Sequence, residues 1–232
     1  MKTAILVNGV YRPEDWTIES LLKNIEVVFP DTDVFFHTWD EYLSDIPEGI
    51  KVESCPEPIL NYNPMQDPEP SKSEHYIGRR KSRKEEDIAI RGTKQLIGYA
   101  DLYEKVNEGY DRFIRLRWDT VIDPKVDFSK LLDESCERPI GFMSRLYHRW
   151  SYDKSIGVVK ESFQKEREYW LPDMMIFHHR DHFDPSLVYK LHEEEKLWPS
   201  EWGWYQVLCE PHGENIHKTY HYGAKVAKHC LK

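Results

Sequence analysis

Cysteine is scarce in this chain: there are four in 232 residues, at positions 55, 136, 209 and 230, and no two form a C-x-x-C pair. Such scattered thiols do not read as a disulfide framework, and free thiols in a reducing cytoplasm are the expectation. Long apolar runs are missing as well. No stretch approaches the ~18 residues of a transmembrane helix. Met1-Lys2-Thr3 leads straight into Ala4–Val7, an apolar run too short for a secretory leader. A spanning segment is therefore not expected, and membrane contact is at most peripheral. Net positive charge is also lacking, because 32 basic residues face 41 acidic ones, leaving −9. A general nucleic-acid binder needs a basic footprint, so no nucleic-acid partner is expected. The one dense basic run, Arg79–Lys84, is followed at once by Glu85, Glu86 and Asp87 and reads as a solvated loop or helix start. Internal repeats and low-complexity tracts are absent.

Aromatic side chains, by contrast, are plentiful, with 8 Trp, 14 Tyr and 9 Phe. They fill cores, and they also suit walls on which sugars or bases stack. The length fits one domain with a substantial core. The most informative stretch is Tyr110–Pro124, YDRFIRLRWDTVIDP. Phe113, Ile114 and Leu116 read as a buried strand on which Arg115 and Arg117 share a face. Asp119 and Asp123 follow at its carboxyl end, where ligands bind in open α/β sheets. Two guanidinium groups beside two acids suit a diphosphate and its divalent cation. A strand-end Arg–Asp salt bridge that pins the following loop is the competing reading.

Around that stretch the chain alternates strands and helices. Ala4–Val7 reads as a buried parallel strand that ends in the loop Asn8-Gly9-Val10-Tyr11-Arg12. Gly9 lets backbone come close to a phosphate or base, and Arg12 can reach a charged group. Ile18 to Phe29 carries a helical stripe, capped by Thr17 and stopped by Pro30. Asp33–Trp39 is a second strand ending at Asp40; His37 is either a nucleoside contact or a packed strand residue. Ile50–Glu53 is a weaker strand. Cys55–Ser73 holds five prolines, at 56, 58, 64, 68 and 70, and keeps no regular element. A helix with the stripe Leu96, Tyr99, Ala100, Tyr103 and Val106 ends before Gly109 and starts as early as Arg83.

Beyond Pro124 a short helix at Phe128–Leu132, a strand at Ile140–Met143, a polar and aromatic loop from Tyr147 to Glu168, and a strand at Met174–Phe177 are expected. Helices over Ser186–Leu197 and from Ser200 to about Leu208 follow. Residues 211–232, with His212, His217, His221 and His229, read as a solvated tail whose spacings match no standard zinc pattern. The fold class expected is α/β, an open mixed sheet flanked by helices with an irregular C-terminal half. It forms a single domain over 1–232, with a nucleotide-binding half at about 1–124 and an acceptor-side half at about 125–210.

Several separated segments resemble the bacterial and viral surface-polysaccharide glycosyltransferases. These are the opening strand with N-G-x-Y-R, the second strand ending F-H-T-W-D, and I-R-L-R-W-D at 114–119. The resemblance spans about residues 4 to 208 as scattered short matches, with R-x-R-x-D at 115–119 the most specific. Trp118 stands where that family often has proline, and the usual D-x-D is reduced to Asp119 followed by Asp123. It implies a GT-A-like (Rossmann-like) fold, a nucleotide-diphosphate sugar as donor and a glycan as acceptor. It also implies Gln95 on the helix before the central strand, Asp173 opening a later strand, and Glu201 in the P-x-E at 199–201.

In that chemistry Asp119 is the first-choice ligand for Mn²⁺ or Mg²⁺, with Asp123 the second acid. Arg117, or Arg115, contacts phosphate or fixes the Asp119 carboxylate. Asp40 and Arg12 hold the nucleoside beside Asn8 and Gly9. Asp173 and Glu201 are candidates for the general base of an inverting enzyme. Two other readings remain: a non-catalytic nucleotide- or sugar-binding module, and a metal-dependent phosphohydrolase. A two-metal hydrolase site needs more ligands than the first half of the chain supplies.

Overall fold

The computed structural model describes residues 1–11, 17–64, 83–144, 152–153, 158–159, 171–213 and 219–226, with side chains excepted at 83–89, 143–144, 152–153, 158–159, 200 and 219–226. Arg12, the segment 65–73 and most of Tyr147–Glu168 lie outside these residues.

The sheet grows from the apolar runs. Strands β1 (Thr3–Asn8), β2 (Asp33–Trp39) and β3 (Glu53–Cys55) pair in parallel, and β4 (Arg112–Arg117) lies parallel to β1 on its other side. Strand β5 (Thr120–Ile122) follows a tight turn, and β6 (Ile140–Ser144), β9 (Met175–His179) and β10 (Thr219–Val226) complete an eight-stranded sheet of order β3-β2-β1-β4-β9-β6-β10-β5. Strand β9 enters antiparallel to both β4 and β6, which makes the open sheet mixed, as expected. Two short strands, β7 (Tyr152–Asp153) and β8 (Val158–Val159), form a separate antiparallel pair within the stretch read as loop.

Both faces of the sheet are covered, which is why Ala4–Val7 of β1 and Met175–Phe177 of β9 are continuous apolar runs. On β1, Ile5 and Val7 face α1 (Ile18–Val28), while Ala4 and Leu6 face α2 (Arg83–Val106). Helix α1 starts where Thr17 Oγ1 accepts the Ser20 amide at 3.2 Å and buries Ile18, Leu21 and Ile25. On that face it is joined by α3 (Ser129–Glu134). The opposite face carries α2, α4 (Pro185–Glu193) and α5 (Ser200–Leu208), with Tyr99, Leu102, Val188 and Trp204 fully buried between them. Helix α2 runs unbroken through Gly92 from Arg83, the earlier of its expected starts.

Two expectations need correction. The third strand lies at Glu53–Cys55 rather than Ile50–Glu53, because Trp39 at the end of β2 pairs with Cys55. The segment read as a solvated tail holds β10, which runs parallel to β6 and antiparallel to β5 inside the sheet. Its composition is polar, but its backbone hydrogen bonds are made to two neighbours. No helix among the described residues is long and apolar enough to cross a membrane.

Candidate active site at the carboxyl end of the central strand

Strand alternation sends Phe113, Arg115 and Arg117 to the α2 face. Phe113 packs in the core, and Arg115 lies beside it with no exposed surface. A buried guanidinium must find acceptors. Its Nε donates to Asn8 Oδ1 at 3.1 Å, its Nη2 to Gln95 Oε1 at 3.0 Å, and its Nη1 to the Asp173 carbonyl. Its plane sits 5.0 Å from the Trp204 ring. Asn8 closes the network by donating Nδ2 to the Gln95 carbonyl at 2.7 Å. Burial lowers the Arg115 pKa to about 10 against the pull of Asp173, so it stays charged at neutral pH. Asn8, Gln95 and Asp173 are thus joined through Arg115, which is held internally and does not line the cavity at the carboxyl ends of β1, β2 and β4.

Arg117, one alternation further, reaches the edge of the sheet with its side chain 30% exposed. Its Nε and Nη2 donate to Asp119 Oδ1 and Oδ2 at 2.9 and 2.8 Å, a bidentate pair. On its other side Nη1 lies 3.9 Å from Asp173 Oδ1. Burial works against the Arg117 charge, but Asp119, Asp173 and then Glu201 outweigh it and raise its pKa above the ordinary value. Two acids from different segments therefore flank one guanidinium, and the charge of a third, Glu201, also favours it. Asp119 follows β4, Asp173 precedes β9, and Glu201 lies in the first turn of α5, where its carbonyl accepts the Leu171 amide at 2.9 Å.

Arg117 and Asp119 form one wall of a cavity of about 90 Å³ at the carboxyl ends of β1, β2 and β4. Asn8, Gly9 and Gln95 line it, with Trp39, Tyr42 and Trp118 as aromatic surface and Lys94 as a further cation. Gly9 has φ +117°, a left-handed conformation that favours glycine, and its carbonyl accepts the Trp118 indole N–H at 2.9 Å. Trp118 also donates to the His37 carbonyl at 3.2 Å and stacks on Phe36 at 5.0 Å. It fastens the β4 turn to β1 and β2, so the tryptophan in the R-x-R-W-D motif has a packing role. Thr120 supports the same turn, accepting the Arg117 amide at 3.2 Å and donating to the Met174 carbonyl at 2.9 Å.

Of the residues expected at the site, Asn8, Gly9, Gln95, Arg117 and Asp119 line the cavity, Asp173 flanks Arg117, and the charge of Glu201 favours it. Asp40 is exposed at the start of the turn after β2 and does not line the cavity. Asp123 closes β5, is 8% exposed, and accepts the Lys125 amide at 3.1 Å in a local turn away from the cavity. His37 is a packed residue with no exposed surface. Arg12 lies outside the described residues. Lys94, Tyr42 and Trp39 were not singled out in the sequence. Lys94 sits one residue before Gln95 on α2 and pairs with Glu57 at 2.7 Å, a signal that only the position of Gln95 carries.

No protein-family profile matches the chain, and no curated protein does. Solved structures that resemble it include a galactosyltransferase, LgtC, in complex with donor and acceptor sugar analogues (11% identity, TM-score 0.43, covering 94% of this chain and 72% of that one). Another is a glycosyltransferase involved in glycosylation of the major capsid of PBCV-1 (13%, TM-score 0.45, 96% and 83%). A third is a mannose-1-phosphate geranyltransferase from Thermus thermophilus (12%, TM-score 0.38, 96% and 75%). The likenesses are distant.

Proposed function

We propose that this protein is a glycosyltransferase that moves a sugar from a nucleotide-diphosphate donor to a glycan acceptor. The observation that carries the reading is the position of Arg117, between a cavity wall shared with Asp119 and the carboxylate of Asp173. The cavity lining carries groups that suit part of a nucleotide diphosphate: the Tyr42 ring, and positive charge from Lys94 and Arg117. Moving the sugar requires neutralising charge on the departing diphosphate, and fixed cations in a walled site supply it without reorganisation. The Asp173 carboxylate stands at Nη1 of Arg117, away from the Asp119 pair, and it or Glu201 takes the acceptor hydroxyl proton if configuration is inverted.

Asp119 fits Mn²⁺ or Mg²⁺. Its carboxylate has about four lone-pair positions, Arg117 occupies two, and the side chain is 21% exposed. Cations of this class commonly use one or two carboxylates together with substrate phosphates and water. Bound there, the ion would offset diphosphate charge. Asp123 adds no donor to this set.

The bidentate closure of Arg117 on Asp119 favours a second reading, a non-catalytic nucleotide- or sugar-binding module, because it ties up the acid that would meet a metal. A thermal-shift screen of nucleotides and nucleotide sugars, with and without Mn²⁺, followed by donor-consumption assays, separates the two. A ligand at 100 times its dissociation constant adds about 2.7 kcal/mol, a midpoint shift of roughly 5–10 °C for a chain of this size. The transferase reading expects a Mn²⁺-enhanced shift with one donor, its consumption, and loss of turnover in a folded Asp119→Ala variant. Binding without consumption would move the chain to the second reading, and no shift with any nucleotide or nucleotide sugar would remove the transferase reading and leave only a sugar-binding module.

A further inference from the structure

Behind the Trp39 wall lies a second constellation with different chemistry. The parallel register of β2 and β3, with His37 opposite Glu53 and Trp39 opposite Cys55, puts His37 and Cys55 on one face. Helix α2 crosses that face and adds Asp101. His37 Nε2 lies 3.4 Å from Cys55 Sγ and 3.5 Å from Asp101 Oδ2. The three donor atoms all fall within 4.8 Å of one another. Around a tetrahedral zinc with Zn–S of about 2.3 Å and Zn–N of about 2.0–2.1 Å, neighbouring donors are about 3.3–3.6 Å apart. The two separations from His37 Nε2 lie in that interval before any movement, and Cys55 Sγ and Asp101 stand within 4.8 Å of each other. We propose that His37, Cys55 and Asp101 form a zinc site, distinct from the Asp119 carboxylate and independent of the transferase reading.

The donor set selects the ion. Imidazole and thiolate suit zinc, whereas magnesium and manganese prefer oxygen donors. The ring that supplies nitrogen is held in place. His37 packs edge-on to Trp39 at 5.1 Å, and a Cβ on Gly98 would come within 2.8 Å of His37 Cε1 and 2.5 Å of Trp39 Cη2. Glycine at 98 is what lets α2 approach both rings. His37 Nδ1 is buried with no hydrogen-bond partner among the described residues, so no partner fixes the tautomer and Nε2 is able to present its lone pair.

Lys105 now neutralises Asp101 at 2.8 Å, but it also reaches the Ser54 carbonyl at 3.4 Å and Glu53 at 4.0 Å. Those two partners retain the ammonium when Asp101 turns to a metal. Zinc replaces the Sγ–H proton of Cys55, which leaves to buffer, and water completes the fourth position. Bound there, the ion joins β2, the three-residue edge strand β3 and α2 next to the cavity.

The test is a titration of the full-length, reduced, chelator-treated chain with Cd²⁺, following thiolate-to-metal charge-transfer absorbance, and with Zn²⁺ against a chromophoric chelator. One equivalent giving the charge-transfer band is expected. The band should be lost in Cys55→Ser and kept in Cys136→Ser, and excess Mg²⁺ should not compete. Asp101→Asn, at a side chain 26% exposed, keeps the question open to test if Cys55→Ser fails to fold. It should weaken zinc at least tenfold, the scale on which even outer partners of a metal act. A band that survives Cys55→Ser, zinc binding indifferent to Asp101→Asn, or no uptake at one equivalent would each overturn the proposal.

Discussion

Arg115 and Arg117 leave the same face of β4 two residues apart, yet Arg115 is fully buried while the Arg117 side chain is 30% exposed. Under the proposed function the first serves the fold and the second the site, and two substitutions should separate these roles. Arg115→Met removes the donor to Asn8, Gln95 and the Asp173 carbonyl, leaving buried acceptors unpaired at about 1–3 kcal/mol each. A loss of about 3 kcal/mol or more in urea unfolding is expected. Arg117→Met should cost less than about 1 kcal/mol in the same measurement, as for a partly exposed ion pair, while lowering turnover about 100-fold or more. Equal stability losses in the two variants would contradict this division.

Asp173 engages Arg115 through its backbone carbonyl and approaches Arg117 through its carboxylate. The side chain can therefore be changed without dismantling the buried network. Asp173→Asn is expected to leave the urea midpoint nearly unchanged and to lower kcat by about 10²–10⁴-fold, the range of a lost general base, with KM for donor unaltered. An unchanged kcat in Asp173→Asn together with a loss in Glu201→Gln would assign the base to α5.

Much of this architecture was legible from local pattern. The strand Asp33–Trp39 and the capped helix from Ile18 are where alternation, helical spacing, Thr17 and Pro30 put them. Asn8, Gly9, Gln95, Arg117 and Asp119 converge because strand ends and the α2 N-terminal half meet at one place in an α/β sheet. Strand β10 was not legible, since His221, Gly223 and Lys225 interrupt its strand formers in a short polar segment, and its pairing with β6 and β5 joins residues distant in sequence. The division between the two arginines was legible only in part, since Arg117 is the one nearer the strand's end. Alternation gives them one face, and only the packing of Gln95, Asn8 and Trp204 decides which is enclosed. Asp123 looked like half of a metal pair because sequence spacing does not reveal that β5 carries it away from Asp119.

His178 makes a pH-dependent contribution. It is fully buried in β9, stacked on Phe113 at 5.5 Å, with Nδ1 donating to the His179 carbonyl at 2.9 Å and Nε2 accepting from Tyr99 Oη at 2.6 Å. Burial lowers its pKa to about 3, so the folded state holds it neutral while the unfolded chain binds a proton below about 6.5. The resulting stability is complete above pH ~6.5 and falls as pH drops toward 3, since the unfolded state then binds more protons. His182, lowered to about 4 by burial and then by His212, acts in the same direction. Urea unfolding of the wild type should lose on the order of a few kcal/mol between pH 7 and 4. The double variant Tyr99→Phe/His178→Phe, which keeps the aromatic packing and leaves no orphaned hydroxyl, should show a flatter profile. A profile of unchanged slope would place the acid sensitivity elsewhere.

At the β5 edge of the sheet, one side chain satisfies the strand's outer backbone groups. Asn24 on α1 donates Nδ2 to the Ile122 carbonyl at 3.0 Å and accepts the Ile122 amide through Oδ1 at 2.7 Å. In effect it supplies the two bonds that a neighbouring strand would give β5, and unpaired strand edges recruit other chains. Asn24→Ala should cost about 1–3 kcal/mol, because a backbone donor and acceptor lose their partner together. Asn24→Asp keeps the acceptor for the amide but sets a carboxylate oxygen against the Ile122 carbonyl, so it should recover little of that loss. Urea unfolding measures the stability term, and light scattering against protein concentration measures the edge. If Asn24→Ala neither destabilises the chain nor raises its tendency to associate, β5 is protected by its packing under α1 rather than by this amide.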